Sequence, residues 1–546
     1  ALLMLAGVIA IHAVAGPFSE VRSSTGAWLL AHIHRIMIAG SYPAAAVASE
    51  IPNTFYNALY PALVAAMAVT PVGRWLGGPT VIGHGISAAA FGLCALPLFM
   101  LWRRSGGRAA GMMAAAALLF PPMVSTASLV RYDSLAIALV LLAVWAACAA
   151  RRDGRIWQWL AAGLAVGLVY NTREFLTAPA VGGVATAWLL RLRAGQDRAT
   201  DAPGRRVWLD DVARSAGMLL AGAALGAVLV PVVLRLSPAG GVDAMLGYAA
   251  RGESVHRPGH SMFETLYLAV AGLPLGAGAA GLALTVLLQR GEARAGPLVL
   301  LGTIAPFGAF LISDQQSSQY YLLAHVLVIS GIAGLVAIPP WRKVRWGAAV
   351  VAIGFSLAWA MATVPDLNEG QVPPRWELHT EAWPSPPEEI SRIVDWGSER
   401  VGAEPVIVTS QRVENADSLF AVRQDRPSAF LFQHELDTLL PRLVALYGGR
   451  EVLLFSVESH LGQHSKPPVG TLLGTVGNNR VSGTLYRLPG IADGASVSCP
   501  SHNAPRGACL QLDWSEGGEV WMRQRMLARL QGRTGLLRWN TGKPGT

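Results

Sequence analysis

Basic residues recur after every second apolar segment of this chain, and that alternation constrains its fold more than any other feature. Eleven apolar segments can be read between Ala1 and about Thr363. The basic clusters are Arg103, Arg104 and Arg108; Arg151, Arg152 and Arg155; the arginines between 191 and 214; Arg290 and Arg294; and Arg342, Lys343 and Arg345. Lys and Arg are retained on the cytoplasmic side during insertion, so the pattern predicts about 11 transmembrane helices with the amino terminus inside and the carboxyl terminus outside. The first long loop, 17–80, and everything after Met361 are then extracytoplasmic.

The composition, 52% hydrophobic and 14% charged, lies far from that of a water-soluble domain. Runs such as 81–102, 216–234, 266–288 and 320–338 reach the length a helix needs to cross a hydrocarbon core of ~30 Å. A helix suits that setting because its backbone groups satisfy one another. The opening segment 1–18 has no basic region before it and no convincing cleavage site, so it reads as a retained span rather than a secretory signal. Segment 59–69 is apolar but short. Counting it as a span would invert the side of every later arginine cluster, so it reads as an interfacial or re-entrant helix of the first outer loop. An amphipathic helix over 28–38 shares that loop.

The net charge is +9, but most of the excess sits in the inside loops, which argues against nucleic acid as a partner. Cys94 and Cys148 fall within apolar segments and read as small core residues. Cys499 and Cys509 lie in the outer region, where an oxidising compartment permits a disulfide, and no zinc-type partners surround them.

From Asp366 the character changes. A Pro-rich stretch (Pro373, Pro374, Pro384, Pro386, Pro387) separates the membrane part, 1–364, from an extracytoplasmic soluble domain, 365–546. Residues 388–401 have helical spacing, 406–408, 451–457 and 481–488 read as strands, and 435–447 as a helix. The alternation predicts a small α/β domain.

Three stretches then carry a likeness. They are Trp28 to Pro43 (WLLAHIHRIMIAGSYP) with Tyr56 to Val64 (YNALYPALV); Arg131-Tyr132-Asp133-Ser134-Leu135; and Gln319-Tyr320-Tyr321-Leu322-Leu323. In order and sidedness they resemble the first outer loop, an Arg-x-Asp-x-Leu helix start and a late helix start of GT-C glycosyltransferases. That superfamily includes the aminoarabinose, mannosyl and arabinofuranosyl transferases, which use lipid-phosphate-linked sugars. The resemblance implies a bacterial inner-membrane enzyme, inverting in mechanism, that moves a sugar from a polyprenyl-phosphate donor to an extracytoplasmic acceptor such as an envelope glycan, lipid or protein. The partners implied are that donor, membrane lipids, the acceptor and envelope proteins. One departure matters: family members carry an Asp or Glu just before the first-loop helix, where this chain has Ser24-Thr25-Gly26. The alternative reading is therefore a non-catalytic membrane subunit of a larger envelope assembly, built on the same scaffold.

Sugar transfer from a phosphate carrier needs a base for the acceptor proton and positive charge on the departing phosphate. Glu20 and Asp133 are the candidate bases. Arg22, His32, Arg131, Arg173, Tyr320 and Tyr321 are the candidates for donor phosphate and sugar, because a planar guanidinium pairs two phosphate oxygens at once. His256, Arg257 and His260 lie in an outer loop suited to covering the site. Against these stand plainer readings: Asp133 as a first-turn acid of its helix, and Arg173 with Glu174 as a structural pair in a tight turn. No Walker-type loop, dinucleotide fingerprint or metalloprotease motif is present. No cofactor is expected. A divalent cation is the one addition the resemblance allows, and Glu20, Glu50 and Asp133 are the acids it would need.

Overall fold

The computed structural model describes residues 29, 33, 58–76, 78–119, 131–196, 202–234, 273–307, 322–338, 343–368, 387–402, 404, 406–411, 420, 429–432, 451–459, 470–478 and 481–488. Its first part is a helical array: α1 (Leu59–Ala68), α2 (Pro71–Trp75), α3 (Gly78–Leu93), α4 (Ala95–Ala116), α5 (Asp133–Asp153), α6 (Ile156–Tyr170), α7 (Thr177–Gln196) and α8 (Ala202–Val233). It continues with α9 (Leu273–Leu288), α10 (Glu292–Ile304), α11 (Leu322–Ser330), α12 (Ile332–Ala337) and α13 (Arg345–Asn368). Among the described residues, four helical stretches are long and apolar enough to cross a membrane: Val81–Leu119, Asp133–Asp153, Glu174–Gln196 and Arg206–Val233.

The first of these, at 39 residues, is too long for one crossing. Gly107 adopts φ 78°, a conformation that suits glycine, and the chain turns back there. The reversal shows in packing, because Gly111 lies directly against Phe99. Twelve residues along a straight helix would separate them by about 18 Å. The turn carries Arg103, Arg104 and Arg108, so this basic cluster joins two apolar arms, as its position in the sequence predicts.

Helix α5 is the centre of the array, packed against α3, α4, α6 and α7. It has Asp133 in its first turn and Arg151 and Arg152 in its last, each sign favourable to the helix dipole. Gly154 ends it in the left-handed conformation, φ 70°, with its N–H on the Ala150 carbonyl at 3.1 Å. Its buried stripe of Val140, Leu141, Val144 and Ala147 is fully enclosed. At 21 residues it spans about 30 Å.

The basic clusters gather at one end of this array. Arg104 and Arg151 share Glu292, Arg191 holds Asp211 and donates to the Ala150 carbonyl at 2.8 Å, and the Arg345 guanidinium flanks Gly107. Helix α1, ten residues long, is too short to cross and packs on α3 with Tyr60, Val64 and Ala68 buried.

Helices α6 and α8 meet backbone to backbone. Gly163 and Gly167 face the carbonyls of Leu219 and Ala223, and Gly222 and Gly226 face those of Leu160 and Leu164. Small residues four apart on both helices allow this approach, which supplies packing where lipid offers no hydrophobic drive.

The second part begins with α14 (Pro387–Val401) and a five-stranded sheet in the order β2-β1-β3-β5-β4. Its strands are β1 (Val406–Gln411), β2 (Ala429–Phe432), β3 (Val452–Ser459), β4 (Thr471–Gly477) and β5 (Val481–Leu488). β2, β1 and β3 run parallel, and β5 and β4 are antiparallel. Ile390, Ile393 and Val394 of α14 share a core with Val408, Phe455 and Leu485. The expected α14, β1, β3 and β5 are present. β2 and β4 were not legible: one is four residues long, and the other carries two glycines and an irregularity between Leu472 and Gly474. Pro373, Pro374, Pro384 and Pro386 of the Pro-rich stretch, the expected helix 435–447 and the pair Cys499 and Cys509 lie outside the described residues.

Gly167→Leu is expected to lower the thermal unfolding midpoint of the purified protein, with a penalty of about 1–3 kcal/mol or more from overpacking. Gly217→Leu, on the same helix pair but with nothing near its Cβ position, should leave the midpoint unchanged. Equal midpoints for both would show that the close seam does not hold the array.

Candidate active site

At the end of the array away from the arginine clusters, three charged side chains are buried together. Arg131 is 2%, Asp133 2% and Arg173 5% exposed. Arg131 Nε donates to Asp133 Oδ2 at 2.8 Å, and Arg173 Nε lies 3.3 Å from Asp133 Oδ1. One carboxylate is thus shared by two guanidiniums, one from two residues before α5 and one from the turn after α6. Arg173 also donates to the Tyr132 hydroxyl, and its guanidinium carbon sits 4.5 Å from the Tyr132 ring centre and 4.7 Å from that of Phe175. Stacking on two aromatic faces fixes the plane of the fork.

The turn that presents Arg173 is built from backbone hydrogen bonds. Asn171 donates from Nδ2 to the carbonyls of Gly167, Gly226 and Ala227 at 3.2, 3.0 and 3.0 Å. The last two belong to α8 and are within reach only because of the glycine seam. The Asn171 carbonyl accepts from the Leu59 N–H at 3.1 Å, which ties the start of α1 to the same turn. Arg173 then departs into extended backbone, φ −159°, before a short 3-10 turn, Glu174–Leu176, in which Glu174 is buried at 8% exposure.

Arg131 is held from a second direction. Ser87 Oγ donates to the Arg131 carbonyl at 3.0 Å, and Tyr60 Oη lies 2.9 Å from both Ser87 Oγ and the Gly83 carbonyl. Leu29 and Ile33, described as helical and fully buried, belong to one apolar cluster with Tyr60, Val64, Tyr132 and Val230. Of the helix expected over 28–38, the two described residues therefore pack beside the site, and the rest lie outside the described residues.

Of the residues singled out from sequence, the structure brings together Arg131, Asp133 and Arg173. Asp133 is indeed a first-turn acid, but its carboxylate engages two arginines rather than its own helix end. Arg173 engages Asp133 and Tyr132 across the array. Glu20, Glu50, Arg22, His32, Tyr320, Tyr321, His256, Arg257 and His260 lie outside the described residues. No group of three or more His, Cys, Asp or Glu arranged to hold a metal occurs among the described residues. Three participants went unread in the sequence: Tyr132, inside the Arg-x-Asp-x-Leu stretch; Asn171, two residues before Arg173; and Tyr60.

Two desolvated guanidiniums on one carboxylate, in a helical array of membrane-spanning length, are expensive and seldom kept for packing alone. A polytopic membrane protein with a buried arginine–carboxylate–arginine group at one end is the class this defines.

Comparison with known proteins narrows it. The sequence profile of the family described as Dolichyl-phosphate-mannose-protein mannosyltransferase matches residues 81–194, the stretch that holds Arg131, Asp133 and Arg173. Among solved structures, ArnT from Cupriavidus metallidurans bound to undecaprenyl phosphate is similar over 91% of this chain and 99% of that one, at 14% identity and a TM-score of 0.59. The same protein in its apo state matches over 89% and 97%, at 15% identity and a TM-score of 0.59. Arabinofuranosyltransferase AftD from Mycobacteria covers 90% of this chain and 42% of its own, at 14% identity and a TM-score of 0.51. Comparison with curated proteins finds no sequence match. The likeness of fold to ArnT and AftD thus extends over most of the chain.

Asp133→Asn is expected to destabilise the protein by about 3–5 kcal/mol, because it strands two buried guanidiniums. The double variant Asp133→Leu with Arg131→Leu should lose less than the sum of its single changes, read as unfolding midpoints in a double-mutant cycle. Strict additivity would show that the pair is not coupled.

Proposed function

We propose that this chain is a membrane glycosyltransferase that moves a sugar from a polyprenyl-phosphate donor to an acceptor on the extracytoplasmic side. The observation that carries the reading is the buried Arg131–Asp133–Arg173 group at the end of the array opposite the arginine clusters. With those clusters on the cytoplasmic side, the amino terminus is inside, and both the site and the carboxyl-terminal domain face out. ArnT bound to undecaprenyl phosphate, similar in fold, supports a carrier of that class.

In this reading the acceptor hydroxyl oxygen attacks the anomeric carbon as the bond from that carbon to the phosphate oxygen breaks. The configuration inverts, and polyprenyl phosphate departs with the bonding electrons. Arg173 and Arg131 offset the negative charge that grows on the departing phosphate, acting from fixed positions that need no reorganisation. Asp133 holds both guanidiniums at their angle. The acceptor's proton passes to a carboxylate, Glu20 or Asp133. The carboxyl-terminal domain, 365–546, binds or orients the acceptor.

The test is binding and turnover of polyprenyl-phosphate sugars by the purified protein. Arg173→Ala should weaken saturable donor binding at least tenfold, and Arg173→Lys should restore it only in part, since an ammonium lacks the planar fork. Asp133→Asn and Glu20→Gln should separate positioning from proton transfer. A folded Asp133→Asn protein that still binds donor but does not turn over places Asp133 in the reaction, and loss in Glu20→Gln alone places the base there. No binding by the wild type across a panel of donors would favour the non-catalytic subunit.

A further inference from the structure

We propose that the arginine-rich end of the array holds a site for one anionic glycerophospholipid, separate from the sugar-transfer site. Arg151 lies 18 residues beyond Asp133 on α5, about 27 Å along the helix, so the two sites sit at opposite ends. There a small open cleft, with about 30 Å³ of room, is lined by Arg104, Arg151, Arg152 and Glu292 beside a wall that includes Met100, Leu101 and Trp145.

The charges in this cleft do not balance. Arg152 is paired with its neighbour Asp153. Arg104 and Arg151 share a single carboxylate, Glu292, whose side chain is 60% exposed. Arg151 bonds it directly, whereas Arg104 Nη1 stands 3.7 Å away, beyond hydrogen-bond distance. The Arg151 side chain is only 10% exposed, and its Nε has no hydrogen-bond partner among the described residues. A buried donor left without a partner is unfavourable, and an acceptor oxygen entering the cleft would remove that penalty.

Topology alone explains arginines in a loop. It does not explain a nine-tenths buried guanidinium with an unsatisfied donor at the back of a cleft that has an apolar wall. A phosphodiester headgroup lying over the mouth places one oxygen in the cleft and supplies the missing negative charge, and its acyl chains can run along the partly exposed Met100 and Trp145. Basic pockets between membrane helices select anionic headgroups on these grounds. The occupant is thus a membrane phospholipid rather than free phosphate, because the apolar wall has no use for an inorganic ion. The lipid would fasten α4, α5 and α10 together at the end where each changes direction.

The experiment titrates the full-length protein in detergent with phosphatidylglycerol, phosphatidylcholine, undecaprenyl phosphate and inorganic phosphate, counting bound lipid by native mass spectrometry. Phosphatidylglycerol should bind saturably and at least tenfold more tightly than phosphatidylcholine. Arg104→Gln and Arg151→Gln should each weaken it about fivefold, the effect of one cation near the headgroup plane. Glu292→Gln should tighten it by releasing both guanidiniums from their shared partner. Arg173→Ala should leave it unchanged, which separates failure here from failure of the proposed transfer function. If Arg151→Gln does not fold, the half-exposed pair Arg104→Gln and Glu292→Gln decides alone. Equal binding of the two phospholipids, indifference to Arg104→Gln and Glu292→Gln, full competition by inorganic phosphate, or preference for undecaprenyl phosphate at this cleft would each overturn the proposal.

Discussion

The carboxylate of Asp133, shared between two arginines that arrive from different helices, is the interaction on which the rest of the site depends. Removing ions from water is unfavourable by several kcal/mol each, and their attraction offsets that only when the geometry is good and further polar contacts complete it. Here the completion comes from Tyr132 and Phe175 around Arg173 and from the Tyr60–Ser87 link behind Arg131. Tyr60 belongs to α1, Ser87 to α3 and Phe175 to the turn after α6, while Tyr132 directly precedes α5. The charged group therefore fixes the upper ends of these helices relative to one another.

The glycine seam between α6 and α8 serves the same end by different means. It gains dispersion contact from backbone proximity, and it brings two α8 carbonyls within reach of the Asn171 side chain. Asn171 in turn sets where the chain leaves the helix, hence where Arg173 points. Packing energy spent low in the helix pair thus becomes angular precision at the guanidinium, the kind of support a charged receptor requires.

Much of this was legible in the sequence. The apolar lengths, the arginine alternation and the acid that opens α5 each follow from the physics of inserting a helix in lipid, which acts locally. Arg131, Asp133 and Arg173 were readable as a set because ionisable residues at apolar boundaries are conspicuous. Their mutual pairing was not, because 40 residues separate Asp133 from Arg173 and only the tertiary packing of α5 against α6 closes that distance. Asn171 was invisible for a related reason: an amide before a turn is ordinary, and its three acceptors lie on backbone that carries no sequence signal. In the second part, β1, β3 and β5 stood out by their β-branched and aromatic runs, while β4, exposed at the sheet edge and interrupted by glycine, did not.

The seam has one more consequence. Its contacts recur every fourth residue on both helices, so the two backbones mesh like a vernier with a coarse tooth. A single residue added within Ile156–Tyr170 would turn everything after it by about 100° about the helix axis, whereas four added together would nearly restore the facing. Length change inside the seam is therefore resisted at every step: one residue swings the arginine turn away from α5, and a whole turn carries it about 6 Å along the axis, off the α8 carbonyls that hold Asn171.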